Sequence, residues 1–473
     1  MYYQQFQTQT QIGWSPLTYE ANGSSGAYTF DQFGVFFTHT TAIGDRTSLV
    51  TLIDYTRNQL DPSSHWNRPN EEPFRIYSDG LDPRGVGTRT YKLNYGNRTS
   101  LQERLLWDSP DDDIHLITGL TFTSVDMMPK TANLDAPADY GDSFSQMLDN
   151  PNDFNNLTEY SLGVYVQAQY DVTHAVTLTG GFRADKYSRP DKLISTPRLV
   201  INYSDPDHGW FFKGIYSRSF LAPAAFLTYD TFSTGTAEQI SNPDLKEETV
   251  NGYEVNVGHV SEAFSFEASY FFTRIQNLIS QRQPLRTETR TDPQTGETTE
   301  IEVTHSDNSG DTWIQGMTVE ARYRFSDKFL PYTSLTWIDG ETSDPTNDDE
   351  AYDLIHAPEL QAKFGVDSKW LDGDLTLYGQ GQFVGEAKYH PRNYRFPASD
   401  NNGTQFTMAS YTIFGAGATY QLADFLSLHI DVKNLLDTAY DQPIVGQETT
   451  SWTRIAATPG LPRRFYVGLK LYY

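Results

Sequence analysis

Cysteine is missing from the 473-residue sequence, which excludes disulfide bonds and thiolate metal sites. The sequence also lacks the run of about 18 to 20 apolar residues that a transmembrane helix requires. Its first residues, MYYQQ, provide neither the charged region nor the apolar region of a secretory signal. For an exported protein, we therefore expect either a mature chain or one that is shortened at its N-terminus.

Basic residues are scarce, with 35 Lys and Arg against 61 Asp and Glu, and the net charge is −26. Because binding to phosphates needs a basic surface, nucleic acid is excluded as a partner. The acidic residues are concentrated in predicted loops, for example Asp111, Asp112 and Asp113. We interpret them as solvating charge, and capture of a cationic ligand or Ca²⁺ is the alternative.

Enzyme motifs are also missing. The sequence has no HExxH, Walker or CxxC motif, and its ten histidines are dispersed without a pair at metal-ligand spacing. His305 stands beside Ser306 and Asp307, but adjacent residues of an extended segment point apart and do not form a catalytic group. We predict no catalytic residue, no metal site and no cofactor.

What the sequence does contain is strict alternation between apolar and polar residues, together with 14% aromatic residues. From Glu159 to Asp171, one parity carries Tyr160, Leu162, Val164, Val166, Ala168 and Tyr170, and Tyr165 is the single large apolar residue on the other. Side chains of a strand alternate between faces, so this segment has one apolar and one polar face. Ten residues tilted by about 45° rise roughly 23 Å, close to the apolar band of an outer-membrane barrel.

About 18 such strands follow one another, and their connections alternate between short and long. This alternation predicts an all-β, antiparallel up-and-down transmembrane β-barrel with turns on one side and loops on the other. One short connection, 188–193, falls where a long one is due, and the turn residues 292–297 predict a hairpin within 278–311. The short turns are predicted at Thr41–Arg46, Ser109–Asp113, Asp171–His174, Ser204–His208, Val260–Ala263, Ser326–Lys328, Leu371–Asp374 and Gln421–Asp424, and the long connections at 59–85, 128–157, 221–246, 278–311, 341–357, 387–407 and 437–461.

Charged residues in the middle of strands favour a wet interior over a dry core. His429, Asp431 and Lys433 alternate with Leu428, Ile430 and Val432. In a dry core each unpaired charge would cost several kcal/mol. A large soluble β-protein is the alternative that this comparison disfavours.

Five segments resemble, in order, motifs of TonB-dependent outer-membrane receptors, and the resemblance is to the C-terminal barrel portion of that family. It covers essentially the whole chain and is densest from about 210 to 473. The segments are KGIYSRSFLAP at 213–223, NPDLKEETVNGYE at 242–254, Gly316 and Glu320 in IQGMTVEARY, VKNLLDTAY at 432–440 and PGLPRRFYVGLKLYY at 459–473.

The resemblance implies a receptor barrel domain spanning 1–473, with about 18 of the 22 strands of the family barrel and without its plug domain. It also implies a location in the bacterial outer membrane, in contact with lipid. The expected function is energy-coupled uptake of a scarce ligand such as a ferric siderophore, a vitamin or a glycan. The expected protein partner is the inner-membrane energy-coupling protein, contacted through the missing N-terminal region.

Aromatic residues beside polar ones in the predicted loops are the candidates for ligand binding, because such pairs suit the face of a small chelate. The alternative for each aromatic residue is a place in the girdle at the membrane interface. A passive diffusion porin remains the alternative function, since 18 strands also fit a porin. The candidates are His65, Trp66, Tyr229, Phe232, Trp313, Tyr389, His390, Trp452 and Arg454.

Overall fold

Long antiparallel strands make up almost all of the fold in the computed structural model. It describes residues 2–10, 25–67, 76–77, 80–81, 89–128, 132–134, 137, 156–229, 232–233, 237–291, 298–308, 310–344, 347–355, 357–388, 407–443 and 457–472. Within these residues, the main sheet contains 22 strands, and eighteen of these are long. The long strands are β1 (Tyr2–Thr10), β2 (Ser25–Gly44), β3 (Thr47–Leu60), β4 (Tyr95–Asp108), β5 (Ile114–Met127), β6 (Leu157–Thr173), β7 (Val176–Tyr187), β8 (Leu193–Asp205), β9 (Trp210–Leu221), β10 (Glu248–Val260), β11 (Phe264–Gln276), β12 (Thr312–Tyr323), β13 (Phe329–Asp344), β14 (Leu360–Trp370), β15 (Leu375–Val384), β16 (Tyr411–Ala423), β17 (Leu426–Lys433) and β18 (Arg464–Leu471).

Each long strand pairs antiparallel with the next long strand along the chain. In β6, for example, Val164 lies opposite Leu120 of β5 on one side and Ala184 of β7 on the other. This order from β1 to β18 is the up-and-down topology, so the predicted all-β antiparallel fold with about 18 strands is confirmed. Four short strands extend the same sheet, at His65–Asn67, Arg89–Leu93, Ala132–Leu134 and Asn347–Asp353.

The two ends of the sheet differ, and we call them the short-turn end and the long-loop end. The connection after β2 consists of residues 45–46, and the connection after β6 of residues 174–175. At the turn before β9, Gly209 has φ of +73°, a conformation that favours glycine. The short connection predicted at 188–193 is also present, because β7 ends at Tyr187 and β8 begins at Leu193.

The apolar parity of each strand forms a continuous exposed surface, which we call the apolar face. On β6, Tyr160, Leu162 and Val164 are 55%, 51% and 47% exposed. On β18, Phe465, Val467, Leu469 and Leu471 are exposed too. Soluble proteins rarely expose apolar patches of this extent, whereas a membrane barrel must. Only a five-residue α-helix, α1 (Ala225–Tyr229), and a 3₁₀ turn, Leu371–Gly373, are described, and neither is long and apolar enough to cross a membrane.

The opposite surface, the polar face, also accommodates Tyr165, the residue that breaks the alternation of β6. Its hydroxyl accepts a hydrogen bond from Nε2 of Gln102 at 2.9 Å. Gly119 of β5 makes room for the ring, since a Cβ at that position would lie 2.7 Å from the tyrosine hydroxyl. The polar face therefore holds the large Tyr165 side chain through this hydrogen bond and the space left by Gly119.

The long connection between β11 and β12 contains the predicted hairpin, formed by Ile279–Thr291 and Thr298–Asn308. Its turn, 292–297, lies outside the described residues. The hairpin also pairs in parallel with Ala237–Ile240 of the preceding long loop, which was not predicted. A strand of four residues is too short to give a periodic signal in the sequence.

Candidate functional site

An ion pair with three surrounding polar residues lies on the polar face across strands β4 to β7, and we call these five residues the strand cluster: Gln102, Thr121, Tyr165, Arg183 and Asp185. Nε and Nη2 of Arg183 donate to the two oxygens of Asp185 at 2.7 and 2.6 Å. Nη2 also donates to Oγ1 of Thr121 at 2.8 Å. The guanidinium carbon lies 5.5 Å from the centre of the Tyr165 ring.

Burial differs sharply between the two charged members of the strand cluster. The side chain of Asp185 is 3% exposed, whereas that of Arg183 is 38% exposed. A bidentate arginine–carboxylate pair is a strong and directional contact. Asp185 therefore fixes the guanidinium, whose exposed part faces the space on the polar side of the sheet.

Four residues of two neighbouring connections at the long-loop end, the short one after β7 and the long one after β9, form a second group, the loop cluster: Arg189, Lys192, Tyr229 and Glu247. Nη1 of Arg189 donates to the hydroxyl of Tyr229 at 3.1 Å, and its guanidinium carbon lies 5.4 Å from the ring centre. Nζ of Lys192 donates to Oε1 of Glu247 at 2.6 Å. Glu247 is 5% exposed at the side chain, and its Oε2 accepts no hydrogen bond from the described residues.

A backbone hydrogen bond next to Tyr229 connects the end of α1 to a later part of the same loop. Tyr229 ends α1, and the amide of Asn242 donates to the carbonyl of Thr228 at 2.9 Å. Arg and Tyr side chains can both donate hydrogen bonds to anionic oxygens. The loop cluster can therefore bind the oxygen atoms of an anionic small molecule.

A further contact joins two other long loops. Lys388 lies 2.5 Å from Oδ2 of Asp353 and 3.3 Å from Oε1 of Glu359. Burial by itself would lower the pKa of Lys388, but the two carboxylates outweigh burial and raise it. The ammonium thus stays charged and connects the loops that follow β13 and β15.

Apart from Trp313, the ligand-binding residues predicted from the sequence fall into three groups. His65 and Tyr229 lie at the long-loop end, where Nδ1 of His65 is 2.8 Å from the carbonyl oxygen of Ser63. Trp66 and Phe232 are described by backbone pairing alone, opposite Thr90 and Gln239. Outside the described residues lie Tyr389, His390, Trp452 and Arg454.

Trp313 has a different environment, because it shares the apolar face with Met317 and Tyr323. Its Nε1 donates to Oε2 of Glu341 at 3.3 Å, and it lies opposite Arg274 of β11. An aromatic residue in this position has the geometry of an interfacial girdle residue. For Trp313, a place in the girdle at the membrane interface therefore fits better than a role in ligand binding.

Two loops that carry predicted residues approach each other. Cα atoms of Ile76–Tyr77, which follow His65 and Trp66, come within 8 Å of Cα atoms of Phe232–Ser233. The first loop joins β3 to β4 and the second joins β9 to β10, so they start from distant parts of the sheet. The loop that carries His65 and Trp66 thus contacts the loop that carries Tyr229 and Phe232, through Ile76–Tyr77 and Phe232–Ser233.

Sequence reasoning missed Arg183, Asp185, Arg189 and Lys192. The one signal available was Tyr165, a large residue on the polar parity of β6, which marks the place where Arg183 packs. Among the described residues, no three His, Asp or Glu side chains come together as a group that could hold a metal ion.

A long up-and-down antiparallel sheet with one apolar and one polar face is the architecture of a membrane barrel protein. A family profile described as "TonB dependent receptor-like, beta-barrel" matches residues 1–435, and the chain therefore belongs to this family. The predicted resemblance is confirmed.

Named relatives are receptors and transporters and not enzymes or porins. The metal-pseudopaline receptor CntO of Pseudomonas aeruginosa (strain UCBPP-PA14) is 22% identical over 339 residues, which are 70% of this chain and 41% of that protein. The siderophore receptor PirA of Acinetobacter baumannii has the same fold, with a TM-score of 0.64, 16% identity, and coverage of 94% of this chain and 62% of that one. The copper transporter OprC gives a TM-score of 0.60 at 14% identity, with 95% and 68% covered. The chain thus spans about two fifths of the curated receptor and about three fifths of the PirA structure.

Proposed function

We propose that the chain forms the barrel of a bacterial outer-membrane receptor that takes up a metal chelate. The match of the receptor barrel family to residues 1–435 is the observation that carries this proposal. The names of CntO, PirA and OprC, which refer to a metal chelate, a siderophore and copper, support the choice of ligand class. Uptake in this proposal is coupled to an inner-membrane partner of the TonB type, as in the family.

In this function the long-loop end faces the outside and the short-turn end faces the periplasm. The loop cluster, together with His65, Trp66 and Phe232, forms the first binding surface for the chelate. Tyr389, His390, Trp452 and Arg454 remain proposed ligand contacts on other long loops. The strand cluster lies further along the polar face and binds the ligand after it has left the loops.

Arg189→Ala is the direct test of this binding surface. We expect it to weaken binding of the preferred metal chelate about 10- to 100-fold, because a hydrogen bond to a charged group contributes about 1.5–3 kcal/mol. Quenching of tryptophan fluorescence during titration with a panel of ferric and cupric chelates would measure the affinity. Arg46→Ala is the matched control, since Arg46 contacts Asp112 at the short-turn end.

Two outcomes would count against the proposal in different ways. Equal affinities for Arg189→Ala and Arg46→Ala would remove the loop cluster from the binding surface. Failure of every chelate in the panel to bind, together with a steady open-channel conductance in planar bilayers, would favour passive diffusion.

A further inference from the structure

Two arginines lie on the apolar face of the sheet, close to the long-loop end. Arg218 is near the end of β9, and Arg274 is near the end of β11. Asn251 of β10 pairs with Arg218 on one side and with Arg274 on the other. Arg218 shares its parity with Phe212, and Arg274 shares its parity with Tyr270, which are 37% and 43% exposed. Both arginines therefore belong to the outward surface and not to the polar face.

Aromatic rings border the two arginines on the side of the short-turn end. The ring centroids of Tyr216 and Tyr253 lie 5.0 Å apart, and those of Tyr253 and Phe272 lie 6.3 Å apart. Tyrosine and tryptophan favour the boundary between lipid chains and water. Trp313 lies opposite Arg274 and extends the same row of residues onto β12. We call the four residues across the sheet the arginine row, and its place above the rings is the level of the lipid headgroups: Arg218, Asn251, Arg274 and Trp313.

The arginine row holds hydrogen-bond donors that the described residues leave unused. Arg218 forms neither a hydrogen bond nor an ion pair with any described residue, and its Nε is shielded from water. A shielded donor without an acceptor is unfavourable, which points to an acceptor from outside the chain. Nη2 of Arg274 donates to Oδ2 of Asp311 at 2.7 Å, but the side chain is 53% exposed. A guanidinium has five N–H donors, so Arg274 keeps donors for a second acceptor.

The spacing of the two arginines suits one phosphate group. Neighbouring strands lie about 4.8 Å apart, so the Cα atoms of Arg218 and Arg274 are separated by about 10 Å, a gap that two arginine side chains can close. Arginine forms strong hydrogen bonds with phosphate oxygens. A cavity of about 230 Å³ lies on the other side of Arg274, but the carboxylates of Asp311 and Glu341 line it and would repel an anion. The phosphate position is therefore between the two arginines, in front of Asn251.

We propose that the arginine row binds the phosphate of lipid A, the phosphorylated glycolipid of the outer leaflet. The phosphate accepts hydrogen bonds from Arg218 and Arg274, and the acyl chains lie along the rings of Tyr216, Tyr253 and Phe272. Basic residues at the membrane surface recognise anionic headgroups in the same way. This site lies on the outward surface, apart from the ligand-binding loops. The inference rests on the proposed orientation, in which the long-loop end faces the outside.

Titration of the full chain in detergent micelles with diphosphoryl lipid A tests the proposal, with bound lipid counted by native mass spectrometry. We expect Arg218→Gln to weaken lipid A binding about tenfold and Arg218→Gln/Arg274→Gln about 100-fold, because each variant removes charge-assisted hydrogen bonds. Lipid A without its phosphates should bind the wild-type chain at least about tenfold more weakly, and this comparison needs no variant. Heat-dependent migration on gels reports a folded barrel in each sample.

Arg57→Gln is the matched control. Arg57 also lies on the outward parity near the long-loop end, where its guanidinium carbon is 6.0 Å from the centre of the Phe33 ring. Its neighbours across the sheet are Phe33 and Asn97, so it has no second arginine at the spacing of the arginine row. We expect the lipid A affinity of this variant to equal that of the wild-type chain.

The outcomes separate the lipid site from the proposed uptake. A folded double variant that binds lipid A as the wild-type chain does would overturn the site, and so would an equal loss in Arg57→Gln. Displacement of lipid A by equimolar inorganic phosphate would identify a free anion as the ligand, and tighter binding of phosphatidylglycerol would refute the assignment to lipid A. Chelate binding should be unchanged in Arg218→Gln. Lipid A binding without binding of any chelate would count against the proposed uptake alone.

Discussion

Val164→Arg should lower the free energy of unfolding of the protein in lipid vesicles by about 2–4 kcal/mol, the cost of a basic side chain at the middle of a lipid-facing strand. Val164 lies in the middle of β6, between Leu120 and Ala184, and is 47% exposed. In a soluble protein, a substitution at such an exposed position would change stability by no more than about 0.5 kcal/mol. The size of the effect therefore reports what surrounds the apolar face.

Gln167→Arg is the control for this substitution. Gln167 belongs to the same strand but to the polar face, where it lies opposite Ile117 and Gly181. Because water hydrates this face, we expect its unfolding free energy to stay within about 0.5 kcal/mol of the wild-type value. Urea titration of both variants in the same vesicles measures the difference, and equal losses would contradict the assignment of the two faces.

The second large effect is expected from Arg183→Met, which should cost roughly 3 kcal/mol of stability. The variant leaves the Asp185 carboxylate 3% exposed and without its bidentate partner. Breaking a buried ion pair from one side costs about 3–5 kcal/mol, and we expect the lower end because Arg183 itself is partly hydrated.

The double variant Arg183→Met/Asp185→Leu separates the ion pair from general packing. Since it removes the stranded charge together with its partner, it should recover most of the stability lost in Arg183→Met. Chemical unfolding of the single and double variants completes the comparison. A double variant as unstable as the single one would mean that Arg183 acts through its packing on Tyr165 and not through Asp185.

The strands and their faces could be predicted from the sequence because the membrane imposes a simple rule on every residue of a strand. In β6 and β18, one parity must be apolar over the full span, and a period of two over ten residues is a strong signal. Short strands within long loops escaped prediction for the opposite reason. Ala237–Ile240 pairs with Glu302–His305 over a segment too short to show any period.

The candidate site could be predicted less well, because composition alone does not say which face an aromatic residue occupies. Tyr229 lies in the loop cluster, whereas Trp313 shares the parity of Met317 and Tyr323 and lies on the apolar face. The parity of β12 was available in the sequence and would have separated the two. Arg189 could not be found in this way, since its contact with Tyr229 joins two loops that are separate in the chain.

Single cysteines along β6 provide the most direct measurement of the two-faced sheet. In intact membranes, a water-soluble maleimide should label cysteines placed at Ser161, Gln167 and Gln169, and leave those at Leu162, Val164 and Val166 unlabelled. Labelling that follows this period of two would support an apolar face in lipid and a polar face in water. Uniform labelling of all six positions would contradict it, because both faces of β6 would then be in contact with water.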